Sequence, residues 1–256
     1  MKCKICNNTM ENIFAATIMR KYSVQYFHCV HCGFMQTEDP YWLSEAYQDP
    51  IDLTDTGILG RNYYFCRLTS VILFYIFNPE GSFLDYAGGY GIFTRLMRDV
   101  GFDFYWYDLH ANNIFARGFE HTANKNPVEL VTSFESFEHF VDPMQEIEKI
   151  ISFSKNIIFS TELLPQTIPA PDAWWYYCLS HGQHISFFSL KTLRHIARIF
   201  NLNLYSCGLF HLFVENKINE KKFNKLCLNF EKKIADVKLQ MKTRTIDDMM
   251  YLANKI

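Results

Sequence analysis

The period of hydrophobic and polar positions changes several times along the chain, and each change predicts an element. A short apolar run, Phe83-Leu84, ends in Asp85 and passes through Tyr86-Ala87-Gly88-Gly89-Tyr90-Gly91. It then enters residues 92–100, where apolar positions recur at helical spacing before Gly101. This predicts a strand, a glycine loop and a helix. In such a unit the glycines let the backbone approach a ligand closely, and the free N–H groups of the new helix attract electronegative groups. Further strands are predicted at 102–108, 117–120, 128–133 and 156–162, with helical patterns such as 144–151 between them. Strand alternating with helix predicts an α/β fold, a mostly parallel sheet with helices on both faces that binds ligands beyond the C-terminal ends of its strands.

Upstream, residues 22–28 alternate as a strand, and a helix-like stretch over 61–77 stops at Asn78-Pro79-Glu80-Gly81. Asp55-Thr56-Gly57 reads as a turn, and Pro40-Tyr41-Trp42-Leu43 with Tyr47 as an aromatic docking surface. The Arg61-Asn62 pair is either a holder of a ligand carboxylate or a solvated helix start. Downstream, residues 162–188 follow no simple period; long irregular segments of this kind are often binding loops. Ser189 caps a helix to residue 200, and strands at 202–207 and 209–215 form a hairpin. In the tail, Phe223, Leu226, Phe230, Ile234, Val237 and Met241 form an apolar stripe that packs either on its own domain or on a second copy as a homodimer.

Composition narrows the function. Over 256 residues, 49% hydrophobic content fills one large domain and a small appendage, and the net charge of −2 without a basic block leaves no footprint for nucleic acid. The first residues lack the apolar stretch of a signal peptide, and the longest apolar run, 71–77, is too short to span a bilayer, so a cytoplasmic protein without membrane attachment is expected. In that compartment the 8 cysteines point to metal or reduced thiols. Cys3-Lys4-Ile5-Cys6 and Cys29-Val30-His31-Cys32 are two Cys-x-x-Cys knuckles with 22 residues between them, and Gly33 supplies the positive φ that such knuckles need. Four thiolates at this spacing predict a closed, structural Zn2+ site, with His28 and His31 as bystanders. Cys66, Cys178, Cys207 and Cys227 show no ligand spacing.

The acidic ends of the first two strands carry the next step. Asp108 lies 23 positions after Asp85, where nucleoside-binding α/β folds hold ribose hydroxyls. A dinucleotide dehydrogenase wants Gly-x-Gly-x-x-Gly, and here Thr94 stands where the third glycine would be.

The loop Leu84 to Gly91, Asp108, and the segment Phe134-Glu135-Ser136-Phe137-Glu138-His139-Phe140-Val141-Asp142-Pro143 resemble the class I S-adenosylmethionine (SAM)-dependent methyltransferases over roughly residues 40–216. With its front zinc ribbon, the chain is similar to bacterial methyltransferases that carry such a module, including sugar and surface-polysaccharide methyltransferases. The resemblance implies a Rossmann-like seven-stranded sheet, a zinc ribbon at 1–39, a methyltransferase domain at 40–216 and a helical tail at 217–256. Ala87 departs from the family, whose loop more often has glycine there. Carried over, the resemblance implies that Ala87, Gly88, Gly89 and Gly91 lie against the methionine part of SAM, with Asp85 fixing its amino group and Asp108 the ribose. Phe119 would pack on adenine, and Ser133, Phe134 and Glu135 would line the sulfonium side. Glu138 and His139 are either a second layer around the site or an ordinary helix start.

In this fold the acceptor site is built largely from the segment after the fifth strand, here 162–188. Its Trp174-Trp175-Tyr176-Tyr177 and His181-Gly182-Gln183-His184 would suit a sugar ring, aromatics for its C–H faces and polar groups for its hydroxyls. His184 or His181 is the expected base for a hydroxyl acceptor, with Tyr176, Tyr177 and Glu162 as substitutes. The expected acceptor is a small molecule, a nucleotide-linked sugar or another glycan precursor, methylated on oxygen. C-methylation of a nucleotide-linked keto-sugar, an inactive SAM-binding partner subunit, and a binding module whose ribbon reads nucleic acid are the alternatives.

Overall fold

The computed structural model of the chain describes residues 1–48, 54–122 and 127–255. In chain order the elements are β1 (Glu11–Ile18), β2 (Tyr22–His28), β3 (Met35–Thr37), α1 (Leu43–Ala46), α2 (Ile58–Ile76), β4 (Ser82–Tyr86), α3 (Ile92–Val100), β5 (Asp103–Tyr107) and β6 (Leu130–Ser133). They continue with α4 (Pro143–Phe153), β7 (Ile157–Ser160), β8 (Ser186–Phe187), α5 (Leu190–Ile199), β9 (Asn203–Cys207), β10 (Phe210–Val214), α6 (Glu220–Gln240) and α7 (Thr245–Ala253). The chain divides into two compact units that are discontinuous in sequence. One comprises Met1–Leu53, Glu135–Lys149 and Phe159–Glu215, the other Thr54–Phe134, Ile150–Ile158 and Asn216–Ile256.

The α/β sheet has the strand order β5-β4-β6-β7-β10-β9. β4 is flanked by parallel neighbours, Phe83 pairing with Phe104 on one side and Leu130 on the other. Phe83 and Leu84 are fully buried, which is why this strand reads as a continuous apolar run and not as an alternation. β9 and β10 form the expected antiparallel hairpin, turned at Gly208 with φ 61°. Of the third expected strand, 117–120, a single parallel bridge between Trp106 and Glu120 forms. Gly118 at φ 87° interrupts the extended backbone, so among the described residues six strands form ladders and this bridge holds the seventh position.

In the second unit, α2 begins at Ile58, ahead of the expected start at 61, because the 55–57 turn leads directly into it and the Gly57 carbonyl accepts from Arg61 N–H at 3.0 Å. The tail stripe of Phe223, Leu226, Phe230, Ile234 and Val237 is buried along α6, which packs on α2, with Tyr64 and Phe230 in edge contact at 5.4 Å. Of the two expected partners for that stripe, the chain's own domain covers it. α7, which the periodicity did not suggest, follows. No helix among the described residues is long and apolar enough to cross a membrane.

In the first unit, an antiparallel sheet of order β1-β2-β3-β8 is built on the expected strand at 22–28. Its core holds Val24, Tyr26, Met35, Trp42, Tyr176, Tyr177, Ile185 and Phe187. The irregular stretch 162–188 therefore contributes a strand and two tyrosines to the ribbon's core. Trp42 adds a 2.7 Å hydrogen bond from its indole N–H to the Gly182 carbonyl, so the expected docking aromatic is a core residue.

Candidate functional site

In the second unit, the loop after β4 is shaped by three left-handed residues, Ala87 (φ 57°), Gly89 (φ 52°) and Gly91 (φ 81°). Ala87 occupies a conformation that costs an L-residue about 1–2 kcal/mol. Gly88 is packed tightly: an added Cβ would lie 2.7 Å from Trp106 and 2.8 Å from an Asp85 oxygen. At Gly91 it would meet Asn113 Oδ1 at 2.6 Å, whereas at Gly89 it would meet nothing within 4 Å. The loop thus turns its Gly89 side to open space. Asp108 Oδ2 accepts from Gly89 N–H at 2.9 Å, and its Oδ1 accepts from the N–H groups of His110 (2.7 Å) and Ala111 (2.9 Å). The acid ending the second strand is therefore held against the glycine loop.

Asp85 is 2% exposed and accepts from Thr94 Oγ1 (2.9 Å) and Thr132 Oγ1 (3.1 Å). Burial pushes its carboxyl up to about 7, against the pull of those two hydroxyls. Ser133 is buried at the end of β6, and Phe134 stacks on Phe65 at 4.2 Å and meets Phe93 edge-on at 4.9 Å. Phe119, expected to pack on adenine, is 4% exposed. The Arg98 guanidinium lies 3.8 Å from its ring centre and Tyr251 of α7 stacks at 6.0 Å.

Arg98 itself was not legible as a site-shaping residue. Its side chain is 3% exposed, donates to both Asp248 carboxylate oxygens at 2.8 and 2.7 Å, and reaches Asp103 at 2.9 Å. That buried pair fastens α7 beside Phe119. Arg61 pairs with Asp55 at 2.7 Å at the start of α2, the helix-start reading of the Arg61-Asn62 pair.

In the first unit, the four cysteines of the two knuckles converge. Cys3 and Cys32 sulfurs are 3.5 Å apart, those of Cys6 and Cys29 3.4 Å, and all four lie within 4.8 Å of one another as free thiols. Gly33 has φ 77°, and its N–H donates to the Cys29 carbonyl at 2.7 Å, closing the second knuckle. Sulfurs around a zinc at about 2.3 Å stand slightly under 4 Å apart, so the set can close on that ion with small adjustment.

The same unit brings together Glu138, His139 and His184, whose ligand atoms lie within 4.8 Å of one another. Glu138 is fully buried, and His139 and His184 are half-buried. His184 Nδ1 is 2.7 Å from the Tyr176 carbonyl and His139 Nδ1 is 3.1 Å from the Gln183 carbonyl. A carbonyl only accepts, so these two contacts favour the hydrogen on Nδ1 and leave Nε2 as the basic nitrogen of each ring. Ile185 N–H donates to the Glu138 carbonyl at 2.9 Å, which ties the two segments together. The Tyr47 hydroxyl lies 2.9 Å from His139 Nδ1.

Of the expected bases, His184 belongs to this cluster, and the Tyr176 ring meets it at 4.7 Å. His181 is half-buried outside the cluster, its backbone N–H donating to the Cys178 carbonyl at 3.0 Å. Tyr176 is 3% exposed, with its hydroxyl 3.2 Å from that of Thr161; burial, then the charges of Glu138 and Glu135, hold its phenol well above the usual range. It packs in the core of the ribbon sheet. Glu135 adopts φ 50°, held by its N–H donating to Ser160 Oγ (2.8 Å) while that hydroxyl donates back to its carboxylate (2.7 Å). The Glu-His pair was legible as residues but not as partners of His184.

Residues 60–206 match the family described as a methyltransferase domain. No curated protein matches the chain. Similar solved structures include CalO1, a methyltransferase in calicheamicin biosynthesis in its S-adenosylhomocysteine (SAH)-bound form, at 9% identity, TM-score 0.45, covering 70% of this chain and 60% of that one. The plantazolicin methyltransferase BpumL in complex with SAH is similar at 11% identity, TM-score 0.46, covering 80% and 91%. Magnesium protoporphyrin IX methyltransferase from Synechocystis PCC 6803 with bound SAH follows at 12%, TM-score 0.44, covering 67% and 90%. The chain spans 60% of the length of CalO1.

Proposed function

The chain belongs to the methyltransferase domain family, and from that premise we propose that it transfers a methyl group from SAM to a hydroxyl of a small polar acceptor, a nucleotide-linked sugar or another surface-glycan precursor. The observation that carries the donor half is the Asp108 carboxylate bound to Gly89 N–H beside a loop whose Gly89 side is open. That arrangement fits a nucleoside with an amino-acid tail: Asp108 keeps a remaining lone pair for ribose, and the loop admits the tail without a Cβ in the way. When bound, SAM supplies a methyl on a positively charged sulfur. Asp85 would hold its ammonium, and Phe134 with Ser133 would shape the wall near the methyl.

For an in-line displacement the chain has to align the acceptor and remove its proton. We assign proton removal to the Glu138, His139 and His184 cluster, a convergent group of a carboxylate and two imidazoles in the first unit. The exposed Trp175 would supply the flat surface for a sugar ring. The four cysteines would hold a structural Zn2+ with no open position, which stabilises the ribbon and takes no part in the reaction.

The test uses the zinc-loaded full chain with SAM labelled in its methyl group and a panel of nucleotide sugars. Label on a sugar oxygen supports the reading. Label on a ring carbon of a keto-sugar would move the chemistry to C-methylation, and SAM binding without transfer to any acceptor would favour a non-catalytic partner subunit.

A further inference from the structure

We propose that Glu138, His139 and His184 are the ligands of a divalent metal ion, a second metal site separate from the four cysteines, which binds and activates the acceptor's hydroxyl. The inference rests on the methyltransferase reading for its chemical role but not for its existence. Three donors of two chemical kinds, a carboxylate and two imidazoles, lie within 4.8 Å of one another. That is the set which takes first-row divalent cations and leaves coordination positions open.

The outer layer matches what a metal site needs. Metal-bound histidines use one ring nitrogen on the ion and give the other N–H to a carbonyl or carboxylate, which fixes the tautomer and aims the ring. Both rings here have Nδ1 at hydrogen-bonding distance from a backbone carbonyl, Tyr176 for His184 (2.7 Å) and Gln183 for His139 (3.1 Å). Each carbonyl is itself held in place. Tyr176 sits in the ribbon core, and Gln183 is anchored by its side-chain N–H donating to the Ala46 carbonyl at 2.7 Å. His139 Nε2 is 3.9 Å from Glu138 Oε1, too long for a direct hydrogen bond but short enough for one ion to bridge. A lone general base would need a single imidazole and one orienting partner, whereas this site aims two imidazoles and a carboxylate together.

The role follows from the chemistry of the ion. An alcohol oxygen bound to a divalent cation releases its proton to bulk water at a far lower pH than a free alcohol does. The alkoxide oxygen then forms a bond to the methyl carbon as the carbon–sulfur bond breaks, and the electron pair stays on sulfur to give neutral S-adenosylhomocysteine. An acceptor with a second hydroxyl or a carbonyl next to the reacting one would chelate the ion through both oxygens.

Co2+ added to protein whose cysteine site is already filled with Zn2+ tests this directly. One Co2+ per chain is expected, with the weak visible absorption of nitrogen and oxygen ligation and without thiolate charge-transfer bands. His184→Ala and Glu138→Gln should each weaken uptake at least tenfold while SAM affinity, measured by calorimetry, stays within twofold of wild type. If Glu138→Gln does not fold, His184→Ala carries the comparison alone. With the acceptor found by the labelled panel, protein stripped at this site alone should lose turnover at least tenfold and regain it with Co2+. The proposal is overturned if zinc-filled protein takes up no Co2+, if uptake is unchanged in the variants, or if stripped protein keeps full turnover, which would make His184 an unassisted base. A wild-type chain that binds Co2+ but not SAM would instead overturn the donor reading.

Discussion

Replacing Asp85 with asparagine should stabilise the protein without cofactor at alkaline pH and weaken its hold on SAM. The carboxyl is 2% exposed, and burial raises it from 3.8 to about 7. A raised acid favours its protonated form in the fold. Above the unfolded value the unfolded chain releases the proton that the folded chain keeps, so a destabilising contribution grows with pH and levels off above the folded value. From 3.8 to about 7 the full contribution is about 4 kcal/mol. The substituted amide would be neutral at every pH and could still accept from one threonine hydroxyl and donate to the other, giving back roughly 1 kcal/mol for the weaker hydrogen bonds. Urea unfolding of zinc-loaded wild type and Asp85→Asn should show the variant gaining about 2–3 kcal/mol relative to wild type between pH 5 and pH 8. SAM binding near pH 6 should release close to one proton from wild type, read from calorimetry in two buffers of different ionisation enthalpy, and none from the variant. A stability difference independent of pH, or equal proton release by both proteins, would refute the assignment of Asp85 as a buried acid facing the donor's ammonium.

Further outcomes follow from the rest of the structure. One Zn2+ per chain should survive dialysis against mild chelator, its removal should lower the unfolding temperature, and Cys29→Ser should abolish its retention, as atomic absorption on the dialysed protein would show. Asp248→Asn leaves Arg98 buried with a weakened partner and should cost about 3 kcal/mol in urea unfolding, whereas Arg98→Met with Asp248→Leu should cost less than the sum of the single changes. Replacing Ala87 by glycine relieves the left-handed backbone and should leave stability between unchanged and about 1 kcal/mol higher; a loss above that would contradict the observed loop conformation.

What could be read from the chain was local, and what could not was long-range. The Cys-x-x-Cys knuckles, the strand-loop-helix around Asp85, and the Ser189 cap are each set by neighbouring residues, and all three stand in the structure. Asp108 stands beside the glycine loop because parallel strands of similar length place their acidic ends on one edge. The third strand failed on Gly118, whose positive φ ends extension after a single bridge. The row Trp174 to Tyr177 looks like a pocket wall by composition, yet Tyr176 and Tyr177 bury themselves under the ribbon sheet, since nothing in four adjacent aromatics says which face finds a core. The Arg98 to Asp248 pair spans 150 residues, and neither residue carries a local signal for its partner. The same holds for His184, whose companions Glu138 and His139 arrive through the Ile185 to Glu138 backbone bond.

The central claim is that the loop Asp85 to Gly91, with Asp108, binds SAM. Calorimetry on the zinc-loaded full chain measures it directly. One SAM per chain is predicted, with Asp108→Ala weaker by about 1–3 kcal/mol through lost hydrogen bonds to the ribose. Absence of SAM binding, together with binding of NAD by the same sample, would contradict it.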